Sequence, residues 1–197
     1  MRLWTIQEPY VYDRLKEEQV LHVDITLSNL YNMEDIGVVD NPFQKAYKWL
    51  SERMEKKIGK PAGTEFPWWA WYKRNMRNSK PDLREGGYGT PGQQMVCMEL
   101  EIDKSRVVLS DFDLWHFCIS DFWISDATSS EEWDKKDAWF DSLSKEEQED
   151  LKLKSWEQIF DTHLDVRSWH ERGQWVQATF WELRLEDVVK VQYFKAR

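Results

Sequence analysis

Phe66–Tyr72 reads FPWWAWY, and how this run folds decides the class of the chain. Proline opens it and bulky aromatics follow, with Ala70 the one small residue, which is the composition of a strand. Alternation then puts Trp69 and Trp71 on one face and Trp68 and Ala70 on the other. Working outward, RLWTIQ at 2–7 is a second strand, with Trp4 and Ile6 on one face and Leu3, Thr5 and Gln7 on the other. MVCMELEID at 95–103 alternates as well, setting Val96, Met98, Leu100 and Ile102 against Cys97, Glu99 and Glu101. RVVL (106–109), QWVQATFWELRL (174–185) and VVKVQYF (188–194) complete about six strands.

About four helices lie between them. Pro9 suits the first turn of a short helix carrying Val11 and Leu15. Asn41–Gly59 is the clearest helix: Asn41 caps it and Pro42 sits in its first turn. Phe43, Ala46, Tyr47, Leu50, Met54 and Ile58 form its apolar stripe, and Gly59 with Pro61 ends it. A third begins at Ser110. SKEE from Ser144 has the form of a capping box that starts a helix running to Phe160. The 20 residues from Lys73 to Gly92 have no period and read as a loop. The alternation lacks the βαβ repeat of a doubly wound sheet, so the expected class is α+β. This means a mixed, mainly antiparallel sheet flanked by helices, with a charged helical insertion at 124–155. A length of 197 residues suits a single domain over 1–197.

Composition narrows the function classes. Hydrophobic residues at 41% and charged ones at 32% allow both a core and a soluble surface. Thirteen tryptophans are far above ordinary usage, and such rings either fill a core or line a binding surface. A net charge of -9 argues against broad binding to nucleic acid or anionic membrane. No apolar run approaches the length that spans a bilayer, and the N-terminal residues do not read as a secretory signal. Cys97 and Cys118 belong to no CxxC motif and fit reduced, buried thiols, so the expected compartment is the cytoplasm.

Three segments carry candidate chemistry. In LSDFDLWHFC, Ser110 is placed to cap a helix whose third position is Asp113, and His116 follows one turn later on the same face. A carboxylate and an imidazole so spaced suit a proton shuttle or two metal ligands. However, His22, His163 and His170 form no HxH or HExxH motif, so no metal is expected. In FPWWAWYKRNMRNSK, Trp69, Trp71 and Tyr72 precede Lys73, Arg74, Arg77 and Lys80. Aromatic rings beside positive charge are what stacking sites for nucleotides or single-stranded nucleic acid require. The alternative is a central strand packed on both faces, followed by a solvated basic loop. In QATFWELRLE, Glu182 shares a face with Val176, Ala178 and Phe180, where a carboxylate must be functional or paired, and Arg184 is a ready partner.

LWTIQ at the start, AYKWL, FPWWAWY, KPDLR, LSDFDLWH, SWEQIF and QATFWELRLEDV together resemble a bacterial family known only as a domain of unknown function. That resemblance spans nearly the whole chain and implies a single-domain bacterial cytosolic protein with no transferable activity. The layout also resembles the ADP-ribosyltransferase fold. That fold places histidine or arginine on the first strand, an aromatic or serine-containing strand after a helix, and a glutamate on a late strand. Here Thr5 and Gln7, then Trp69, Trp71 and Tyr72, then Glu182 keep the order, without the histidine or arginine. The resemblance implies NAD as ligand, stacked on tryptophan, with Thr5 and Gln7 bonding it and Glu182 as the catalytic carboxylate. Two readings stand: an active or degenerate NAD enzyme, or a non-catalytic aromatic-lined module for single-stranded nucleic acid, a nucleotide or a protein partner. His116 and Arg74 would border the ligand in either.

Overall fold

The computed structural model describes residues 1–24, 41–165 and 172–197; His170 lies outside them. β1 (Arg2–Gln7) runs into α1 (Pro9–Glu18) and the two-residue β2 (Val20–Leu21). α2 (Pro42–Ile58), β3 (Trp68–Lys73), β4 (Gln94–Glu101) and β5 (Val108–Asp111) follow. Next come α3 (Phe112–Ile119), α4 (Ser130–Asp141) and α5 (Lys145–Ser155), then β6 (Val176–Phe180), β7 (Leu183–Arg184) and β8 (Val188–Lys195). Six strands form one antiparallel sheet in the order β5-β6-β3-β1-β4-β8, while β2 and β7 pair separately. The class is α+β, with α4 and α5 in the charged stretch. Among the described residues no helix is long and apolar enough to cross a membrane.

Register fixes the two faces. Leu3 lies opposite Leu100 and Ala70 opposite Ala178, and with Met98 and Phe180 they form a core covered by Val11 and Leu15 of α1. The other face is covered in two parts. Over β5 and β6, α2 and α3 bring Leu50, Leu114 and Trp115, and a 3-10 turn at Trp156–Phe160 brings Trp156. Over β1 and β4, Leu83 from the loop after β3 packs on Trp4 and Cys97. Each large side chain so buried contributes about 1.5–3 kcal/mol.

Asn41 accepts from the Phe43 N–H at 2.9 Å and caps α2, and Gly59 at φ 71 ends it. The reciprocal Ser144–Glu147 bonds of a capping box start α5. That helix stops at Ser155 and tightens into the 3-10 turn, rather than continuing as α-helix to Phe160, so that Trp156 and Ile159 reach the core. Two further expectations need correction. Ser110 does not cap α3, because it is still in β5 opposite Gln177. Asp111 is the cap: one oxygen accepts the Leu114 N–H at 2.9 Å and the other the Gly173 N–H at 2.7 Å. The long strand at 174–185 is broken after Phe180. There Trp181 packs beside α2 and donates its indole N–H to the Gly59 carbonyl at 2.6 Å, and the chain pairs again only at Leu183–Arg184, with β2.

Candidate functional site

The strands carrying the three candidate segments are neighbours: β6 beside β3, β3 beside β1. Trp4 lies opposite Trp71, and Trp71 opposite Gln177, so all three share the face away from α1. Between the two parts of that face's cover is a pocket of about 220 Å³, lined by Trp4, Ile6, Trp69, Trp71, Tyr88 and Gln177 and bordered by Thr5 and Gln7. Typical pockets for drug-sized ligands hold roughly 300–1,000 Å³, so this one suits a single ring.

Its aromatic walls are fixed from behind. Trp69 packs on Trp115 at 5.2 Å between ring centres and edge-on to Tyr47 at 6.0 Å. Burial pushes the Tyr47 phenol up to about 12, against the opposing effect of the Trp69 indole it faces. Trp71 packs on Phe112 at 4.9 Å and Trp175 at 6.2 Å. The polar atoms are less well provided for. Among the lining residues Trp4 Nε1, Trp69 Nε1 and Gln177 Oε1 are buried with no hydrogen-bond partner among the described residues, and so, outside the lining, is Ser110 Oγ, opposite Gln177 in the ladder. An unmet buried polar group costs about 1–3 kcal/mol.

Arg74 stands beside the pocket. Its guanidinium lies 5.1 Å from the Trp71 ring centre, 5.3 Å from Trp175 and 5.6 Å from Tyr88. It donates to the Tyr88 hydroxyl and, at 2.6 Å, to Glu85, while its Nε is buried without a partner among the described residues. Thr5 donates its hydroxyl to the Trp69 carbonyl at 2.9 Å and so ties β1 to β3, and Gln7 donates to Thr5 Oγ1 at 2.8 Å within β1.

The remaining candidates lie elsewhere. Tyr72 points to the α1 side and packs on that core. His116 donates from Nδ1 to the Phe112 carbonyl at 2.8 Å and sets its ring across Phe112 at 4.4 Å. It therefore stands behind a residue that backs the pocket wall. Burial pushes the Asp113 carboxyl up, and the charge of Asp111 acts in the same direction, opposed by His116. Glu182 is not in the pocket lining. It accepts from Arg184 at 2.6 and 3.1 Å, with His22 Nε2 at 3.4 Å from its other oxygen. Arg184 holds this carboxyl below the usual carboxylate range against the effect of burial, and His22 adds to the lowering.

Among the described residues no group of three or more His, Cys, Asp or Glu side chains is placed to hold a metal ion. A larger groove, about 890 Å³, runs along α2, but its Lys45 is tied to Asp121 at 2.7 Å and Glu149 at 2.6 Å. Trp4, Tyr88, Glu85, Trp175 and Gln177 were not among the expected site residues. Trp4 was readable as sharing a face with Ile6, but its position opposite Trp71 depends on strand register. Tyr88 was hidden in the glycine-rich loop.

Fold and site together define an α+β protein built on one antiparallel sheet, with an aromatic pocket over the sheet's central strands. Residues 2–189 match the family described as a domain of unknown function, DUF3841, and the chain belongs to that family. No curated protein and no solved structure matches it.

Proposed function

We propose that this chain is a cytoplasmic nucleotide-binding module that seats one planar, amide-bearing ring, nicotinamide or a nucleobase, in the tryptophan-walled pocket. It would be a non-catalytic relative of the ADP-ribosyltransferase layout. The observation that carries this reading is the set of unmet buried groups on residues of the lining, Trp4 Nε1 and Trp69 Nε1 as donors and Gln177 Oε1 as acceptor, of which Trp4 and Gln177 form the donor and acceptor for the ring. A carboxamide or ring lactam offers a carbonyl to the first and an N–H to the second, while its flat face stacks on indole. The adjacency of β1, β3 and β6 supports the layout. The position of Glu182, engaged by Arg184 and His22 outside the pocket lining, favours binding over glycosidic cleavage. Single-stranded nucleic acid is the weaker alternative, because it needs a basic track. Among the described residues the pocket's lining holds no Lys or Arg, and the chain carries a net charge of -9. The buried free thiols of Cys97 and Cys118 support the cytoplasmic assignment.

Calorimetric titration with nicotinamide, inosine and NAD tests the reading. At least one should bind, and Trp4→Phe, which keeps a ring but removes the N–H, should weaken it about tenfold, the value of one hydrogen bond of about 1–1.5 kcal/mol. Glu182→Gln should leave the affinity unchanged. Absence of heat and of thermal stabilisation with all three at millimolar concentration would overturn the reading.

A further inference from the structure

We infer that Arg74 is the anion-binding residue of this site, and that the phosphate of a bound nucleotide displaces Glu85 from it. The inference rests on the ring-binding reading above. Arg74 follows the pocket wall in the chain by three residues and shares two of the pocket's aromatic rings, Trp71 and Tyr88. Its side chain is only 16% exposed, so the guanidinium is already oriented and partly desolvated before any ligand arrives. A guanidinium carries five N–H groups. Here it makes two hydrogen bonds, and the buried Nε has no partner among the described residues. That leaves donors in a planar fork, the arrangement that matches phosphate oxygens.

Glu85 has the character of a replaceable partner. Its side chain is 52% exposed, and it opens the loop Glu85-Gly86-Gly87-Tyr88-Gly89. Gly87 in that loop has φ +89, a conformation that L side chains rarely adopt. Without ligand, Glu85 keeps a caged cation from standing alone. A phosphate carries more charge and more acceptor oxygens and reaches the same nitrogens, so exchange is favourable when the ring is seated.

The experiment compares the full chain's affinity for nicotinamide riboside, nicotinamide mononucleotide and inorganic phosphate. The mononucleotide should bind about tenfold or more tightly than the riboside, in line with the strength of an Arg–phosphate bond. Arg74→Lys should bring that ratio close to one. Glu85→Gln, at an exposed position that leaves the cage intact, should tighten the mononucleotide several-fold without changing the riboside. Equal affinity of the two ligands for the native chain, or an unchanged mononucleotide affinity in Glu85→Gln, would overturn the role of Arg74 and leave ring binding standing. Failure of both ligands to bind would overturn the role of Arg74, and together with failure of inosine to bind would overturn the ring reading itself. Phosphate alone binding as tightly as the mononucleotide would overturn the assignment of a nucleotide to the site.

Discussion

Trp4 is buried at 4% exposure, and its N–H has no acceptor among the described residues. Such an unmet group offsets part of the packing lost on truncation, so Trp4→Phe should lower unfolding stability by no more than about 1–2 kcal/mol while weakening ligand about tenfold. Asp111 is the contrasting case, a buried carboxylate fully engaged by the N–H groups of Leu114 and Gly173. Glu182 was readable in sequence as either functional or paired, and its partners are Arg184 and His22. Because Arg184 lowers its pKa in the fold, the unfolded chain takes up the proton first on acidification. The stabilisation is therefore complete above the ordinary carboxylate range, about pH 5 and upward, and is lost as pH falls through the lowered folded value. Urea unfolding over a pH series should show Glu182→Gln less stable than the native chain near neutrality and converging with it in acid.

At the scale of elements, what the sequence disclosed follows from local physics. The Asn41 cap, the Gly59 stop, the Ser144 box and the alternation in β1 and β4 each depend on residues a few positions apart. What it concealed depends on distant partners. Ser110 has the residue type of a cap, but pairing with β6 holds it in a strand, and the interruption after Phe180 needs Gly59 to receive the Trp181 indole. Gly173 is another such position. It has φ +82, and a Cβ there would meet the His163 carbonyl at 2.7 Å. Gly173→Ala should lower stability by about 1–3 kcal/mol from the backbone conformation alone, read as a shift in the urea midpoint. The helices of the charged stretch differ in kind from the rest. Neither α4 nor α5 has a buried residue, and α4 is held through stacking of Trp133 and Phe140 on Trp123 at 6.2 and 4.8 Å. Their amides should therefore exchange with solvent well before those of β1 and β4, a difference that hydrogen exchange measures directly.

For the molecule as a whole, the α+β class was legible because strand and helix periods alternate along the chain without a βαβ repeat. The pocket was not, because it exists only when the first, third and sixth strands lie side by side and a loop closes over them. FPWWAWY supplied the rings, but neither of the readings open to it was complete. Both faces of the strand are packed, and one of them still leaves room for a ligand. The packing of indoles has an optical consequence. Trp69 and Trp115 lie 5.2 Å apart at 40°, and Trp49 and Trp156 lie 5.4 Å apart at 89°. Transition dipoles so close and so inclined mix, giving paired circular-dichroism bands of opposite sign. Both couples join the face that α2 and α3 cover, and neither lies wholly within the sheet. The chain therefore carries a built-in chiroptical gauge of helix docking, which would vanish in a state that keeps its strands and loses its tertiary packing.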